Sequence, residues 1–335
     1  MTTFFDFSTT SPGPQVAAVI PHKGRVTSAS FHEEGKLLYV AYDGNRVSVL
    51  DCETGKASST PFRFEQGGSS LVEATHSAPC ILVSGKGSSL SSVNANQYAI
   101  TYHSTHENKV LRQFIGHTDV VNEIVMSPID DTFLTSSRDR TVRLWDLKSP
   151  GPVAKLDLPT QAQGDPFVAF DSTGLVFGVM AGMTGGQGHY IHLYDARNYS
   201  GGAFSEMKVL TSQLEKTVTQ KQARSDWTHL SFNASGNQIL VTGQNGLCVT
   251  LDGYEGTLLR SFSSPTAVCT ACWTSDDRTI LVGNEDGTIA CWNVDTGAMV
   301  RKLEGHTGAI SWVGFNPTYS MFASCDTTTA MWMWP

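Results

Sequence analysis

The chain has 335 residues, 31 acidic against 23 basic, with a formal net charge of -8, 40% hydrophobic residues and only 16% charged ones. It has enough apolar residues for a large core and is long for a single globular unit, which leaves two domains or one repeat array. The net negative charge repels a phosphate backbone, so direct nucleic-acid binding is not expected.

The opening MTTFFDFSTTSPGP lacks the basic-then-apolar order of an export signal. No stretch approaches the roughly 20 apolar residues of a membrane span, so a soluble intracellular protein is expected. The seven cysteines, at 52, 80, 248, 269, 272, 291 and 325, are scattered and odd in number, which reads as reduced thiols rather than a disulfide frame. The glycosylation sequons at Asn198 and Asn233 therefore carry little weight.

In chain order, residues 1–14 read as an extension. Residues 15–21, QVAAVIP, read as a strand that precedes the first strand of the first unit, RVTSASF. Similar strand endings then recur: Leu50-Asp51, His103 after QYAITY, Trp145-Asp146, Tyr194-Asp195, Leu251-Asp252, Trp292-Asn293 and Trp332. Their spacing is close to the roughly 40 to 45 residues of a four-stranded propeller blade with loop insertions, and seven units result. The third unit runs GHTDVVNEIVMSP, DDTFLTSS, RDRTVRLWD, PVAKLDL, and the sixth repeats that order. Strands rich in Val, Ile, Leu, Thr and aromatics alternate with Gly, Asn, Asp, Ser and Pro clusters, and no long helical period competes. The fold class is all-β, a seven-bladed β-propeller.

A Trp at the end of such a strand needs a partner for its indole N–H. Trp145 can donate to the hydroxyl of Thr135 or Ser137, that hydroxyl can bond His117, and the other imidazole nitrogen can meet Asp139. Each bond is worth about 1 kcal/mol net, and the chain locks turn to strand. His306, Asp286 and Trp292 read as members of the same kind of relay in later units. These residues are read as structural pins and not as a catalytic triad, since no exposed nucleophile or oxyanion site is signalled.

The GH pairs at 116–117 and 305–306, with DRTVRLWD, resemble the WD-repeat signature, in which blades surround a central channel. The match is degenerate elsewhere: Leu50 and Leu251 replace the Trp, Gly44 stands where Asp139 stands, and Thr75-His76 replaces the GH pair in unit two. The last unit stops after its third strand at Pro335. Residues 15–21 can supply the missing one, so that 15–335 form one ring with no unpaired seam.

Segments outside the generic signature, such as SPIDDTF, IHLYDARNYSGGAFSEMKV, SDWTHLSF and FNPTYSMFASCDTTTAMWMWP, extend the likeness. They resemble the WD-repeat subunit shared by COMPASS, the SET-domain histone H3 lysine-4 methyltransferase, and a protein phosphatase 1 complex with the related cleavage and polyadenylation machinery in fungi. The loop from Lys86 to Asn96 departs from that pattern. The resemblance implies a non-catalytic nuclear scaffold, a single propeller within a hetero-complex. It implies binding to a segment N-terminal in the methyltransferase and to a phosphatase 1 regulatory subunit, and a link to the phosphorylated C-terminal tail of RNA polymerase II. A generic WD-repeat adaptor, such as a ubiquitin-ligase substrate receptor or an RNA-processing factor, is the other reading.

Partner surfaces have four candidates. Arg138 and Arg140 flank Asp139 in a tight turn, either as solvated turn residues or as a bidentate pair for a phosphoserine or carboxylate. Asp226 and Trp227 follow the polar insertion TSQLEKTVTQKQAR, with Trp227 either an exposed aromatic anchor or a packing residue. His76 and Trp312 are read as related positions near the top of their first strands. No metal or cofactor is expected. Cys269 and Cys272 form a CxxC within a strand without a second pair, the glycine clusters at 85–89 and 182–189 lack a phosphate-loop pattern, and His189 and His192 sit three apart in a strand.

Overall fold

A computed structural model describes residues 5–8, 11–58, 60–64, 70–85, 97–160, 162–262 and 267–335. The loop 86–96 and the side chain of Cys269 lie outside the described part, so the expectations attached to them are left there.

The molecule is a ring of seven antiparallel sheets. Blade 3 shows the plan, from the channel outwards: Val121–Met126, Thr132–Ser137, Thr141–Asp146 and Pro152–Asp157. The second strand is buried almost throughout because neighbouring blades cover both its faces, which is why it reads as a continuous apolar or hydroxyl run. The outermost strand alternates exposed and half-buried positions, since only its inner face meets a neighbour.

The inner strands of the other blades are Val26–Phe31, Leu71–Ala74, Ala162–Phe170, Trp227–Phe232, Val268–Trp273 and Trp312–Phe315. Several carry a bulge near their start, between Val26 and Ser28, Val121 and Glu123, and Trp227 and His229, which re-aims side chains toward the channel.

The core lies between blades. Leu134 and Val142 of blade 3 pack with Val168, Phe177 and Val179 of blade 4, and Ile191 and Met207 of blade 4 with Leu230, Val241 and Val249 of blade 5. Each such side chain contributes about 1.5–3 kcal/mol on burial. Blade 7 joins the two ends of the chain: Gln15–Pro21 pairs antiparallel with Thr328–Met333, with Val16 opposite Trp332. The edge that would otherwise be open is paired, which removes a site for misassociation. The α-helices among the described residues are two single turns, Thr211–Leu214 and Gln220–Ala223, in the insertion before blade 5, and neither is long and apolar enough to cross a membrane.

Candidate functional site

Turns between second and third strands, and loops that lead into the next inner strand, share one face of the ring. In blade 3 this face is closed by the relay that the sequence points to. Trp145, fully buried, donates its indole N–H to Thr135 Oγ1 at 2.8 Å. Thr135 lies 2.7 Å from His117 Nε2, and His117 Nδ1 lies 2.8 Å from Asp139. The chain is satisfied when Nδ1–H donates to the carboxylate and the Thr135 hydroxyl donates to Nε2. Burial opposes ionisation of Asp139, but hydrogen bonds from His117, Thr141 and the Thr118 N–H outweigh it and hold the carboxyl well below the usual range. Ser137 takes a different part: it donates to the Asp119 carbonyl and accepts from the Asp139 N–H.

The later relay is assembled differently from the sequence expectation. His306 serves the blade that follows it: Nδ1 lies 3.0 Å from Asp326 and Nε2 2.7 Å from Ser324, which also accepts from Trp332 Nε1 at 2.8 Å. Gly305 lets the loop lie on that Trp, since a Cβ there would sit 2.5 Å from its ring. Asp286 instead caps Thr288, and the Trp292 indole N–H has no partner among the described residues. The physical reason is connectivity: a loop His leads into the next blade and reaches only that blade's second and third strands.

Between blades 4 and 5 the same face is not closed. A cavity of about 70 Å³ lies there, walled by Gln163 and Asp165 of the first strand of blade 4, His189 of its third, and Arg224, Asp226 and Trp227 at the entry to blade 5. It adjoins an open groove of about 540 Å³ along Gly185–Gln187 and Leu210–Ser212. Trp227 is not an exposed anchor: it is 3% exposed and stacks on His189, with ring centroids 4.2 Å apart and planes 10° from parallel. Burial pushes the His189 pKa down to about 4, so the ring is neutral. The indole N–H of Trp227 and Nδ1 of His189 are buried without partners among the described residues, although buried polar atoms are nearly always bonded.

The rim is charged but mostly paired. Arg138 Nε donates to Asp165 at 3.0 Å, and Arg224 Nε to Glu215 at 3.1 Å. Arg140, at φ +64°, donates to the carbonyls of Pro159 and Ala162. The two arginines therefore do not converge as a fork for one anion, because the first strand of blade 4 brings the Asp165 carboxylate under one, and that strand and the loop leading into it bring main-chain carbonyls under the other. Asp226 is exposed at the rim with no ion-pair partner among the described residues.

Two other predicted residues lie apart from this cleft. His76 is on the opposite face, in the turn between the first and second strands of blade 2. There Nδ1 is 2.7 Å from Glu33 and Nε2 is 3.0 Å from the carbonyls of Ser127 and Asp130. It ties blade 2 to blades 1 and 3. Trp312 opens the inner strand of blade 7 and lines the central channel, a space of about 560 Å³. Sequence reasoning missed the channel's titratable groups. His229 Nδ1 stands 3.6 Å from Glu123, and burial, with the Glu123 charge adding to it, pushes Glu73 up to about 7 against hydrogen bonds from Ser30 and the Met126 N–H. An acid inside the short inner strand LVEA was the available signal.

These features define a WD-repeat β-propeller, with blades 3 and 7 each pinned by a relay of His, Asp, hydroxyl and Trp side chains. The model of the WD domain, G-beta repeat family matches residues 108–146, 256–293 and 297–333. Over 314 residues the chain is 32% identical to WD repeat-containing protein 82 of Drosophila melanogaster, covering 92% of this chain and 90% of that protein. It is 28% identical to COMPASS component SWD2 of Saccharomyces cerevisiae over 93% of this chain and 91% of that one. It is 26% identical to Set1 complex component swd2 of Schizosaccharomyces pombe over 70% and 59%. The chain belongs to this family of WD-repeat proteins.

Proposed function

We propose that this chain is a nuclear scaffold subunit of a Set1-type, SET-domain histone H3 lysine-4 methyltransferase assembly. A segment of the methyltransferase crosses the cleft between blades 4 and 5. Similarity over 93% of the chain to a COMPASS component supports the assembly, and the Trp227 indole N–H and His189 Nδ1, without partners among the described residues and beside the exposed Asp226, support the site. Rigid loops on one face of a ring suit an extended peptide, whose main-chain groups can meet such atoms.

The same ring serving a phosphatase 1 regulatory subunit, and reading the phosphorylated RNA polymerase II tail, belongs to this proposal on family likeness. The paired state of Arg138 and Arg140 does not provide that tail with a ready dianion site.

Affinity purification of the tagged chain with mass spectrometry tests the assembly. Recovery of a SET-domain methyltransferase supports it. Recovery only of a cullin adaptor or unrelated RNA-processing machinery overturns it. In parallel, Asp226→Arg should cut methyltransferase recovery by about tenfold or more, since losing one member of a desolvated charge pair costs about 2–5 kcal/mol. Undiminished recovery would move the docking site elsewhere on the ring.

A further inference from the structure

Residues 5–8 and 11–14, ahead of the strand that closes blade 7, lie in a groove between blades 6 and 7. Arg301, in the outermost strand of blade 6, Met299–Glu304, holds them by their backbone. Its Nε donates to the Phe7 carbonyl at 3.1 Å, Nη1 to Pro12 at 2.8 Å, and Nη2 to Ser11 at 2.6 Å and to Ser8. Gly13, at φ +65°, lies against the same guanidinium, and any Cβ there would collide with it.

Two rings fill the groove. Phe7 is 3% exposed and sits in a cluster with Leu303, Val313 and Trp332. Phe5 meets Phe315 edge-on at 4.6 Å, and Phe7 meets Trp334 edge-on at 5.0 Å. Asp6, between them, points outward, while its carbonyl accepts from the Trp334 indole N–H at 3.3 Å.

This is the chemistry of a peptide-recognition site. One arginine reads main-chain carbonyls, which every sequence has, and two aromatic slots at alternate positions give selectivity. The contrast with Gln15–Pro21 matters: that strand is bound by an antiparallel ladder broken by one bulge between Val16 and Ala18, whereas no described residue from 5 to 14 pairs with a strand. Among the described residues the segment is held on the ring by side chains, those of Arg301 and Trp334 bonding its carbonyls, and it is exchangeable at the cost of those contacts. Phe315, against which Phe5 rests, also lines the central channel, so the groove adjoins it.

We propose that the groove between blades 6 and 7 is a peptide-docking site, with residues 5–8 and 11–14 as its resident ligand. It accepts in exchange an extended partner segment with aromatic residues at alternate positions.

The test uses the full chain and a labelled peptide, FDFSTTSPGP, the sequence of residues 5–14. In wild type the resident segment competes; in Phe5→Ala/Phe7→Ala the resident is weakened and the groove is intact. The double variant should bind the peptide saturably and at least about tenfold more tightly than wild type, and adding Arg301→Ala should remove that gain. A double variant that binds no better than wild type, or indifference to Arg301→Ala, overturns the proposal. Hydrogen exchange on full-length Arg301→Lys serves should the double variant lose its fold. Amides of residues 5–8 should exchange at least about tenfold faster with Thr328–Met333 unchanged, and equal protection overturns the proposal.

Discussion

Blade 3 and the junction of blades 4 and 5 present the same face with opposite polar economies. In blade 3 the buried Trp145, Thr135, His117 and Asp139 consume one another's donors and acceptors, and the turn is sealed. At the junction a buried Trp and His also meet, but they stack, and the Trp227 indole N–H and His189 Nδ1 have no partner among the described residues, beside a cavity. Under the proposed function, this junction, which also has a cavity, is where an incoming chain supplies the missing hydrogen bonds.

Trp145→Ala should destabilise the ring by about 3–5 kcal/mol and lower the denaturant midpoint accordingly. An unchanged midpoint would contradict the sealed-relay account. Asp139→Ala leaves His117 and Thr141 without their acceptor and should cost about 1–3 kcal/mol. Asp286→Ala, at an exposed position whose ion pair is with Lys302, should cost about 1 kcal/mol or less. Equal costs would show that the relay adds nothing beyond the turn. Asp226→Arg should fall within about 0.5 kcal/mol of wild type in the same titration, since it touches no sealed network.

Two buried histidines, one at the junction and one beside blade 7, set a pH signature. His189 and His22 are both pushed down to about 4, by burial first, although Asp326 partly opposes this for His22. Between their ordinary 6.5 and about 4 the unfolded chain takes up more protons, so their contribution to stability is full above that window and lost as pH falls through it. Glu73, raised to about 7, acts in the opposite sense, being protonated in the fold between about 7 and its ordinary 4.5. Residue-resolved imidazole shifts separate the two. His189 and His22 should remain neutral to near pH 4, and His76, raised by Glu33 and two carbonyls against burial, should titrate above 6.5. A His189 midpoint near 6.5 would place it in water.

What could be read in advance followed covalent proximity. The relay of blade 3 was legible because Thr135, Asp139 and Trp145 lie on one hairpin and His117 on the loop that leads into it. The family likeness and the seven-fold pattern were legible for the same reason: each blade is written in one continuous stretch. His306 was set beside Asp286 and Trp292, although its loop leads forward to Asp326. His76 was placed on the wrong face because Thr75-His76 imitates a GH pair while closing the first strand of its blade. Contacts made by ring closure left no local mark: Glu123 with His229 across the channel, Arg138 with Asp165 between blades, and Arg301 with a segment nearly the whole chain away.

The most direct test of the open junction is the set of indole N–H resonances of the seven tryptophans, recorded with selective labelling before and after addition of the SET-domain subunit's N-terminal segment. The account predicts that the Trp227 signal shifts and gains protection from exchange while Trp145 and Trp332, already bonded to Thr135 and Ser324, stay in place. A bound segment that leaves the Trp227 signal unmoved would contradict it.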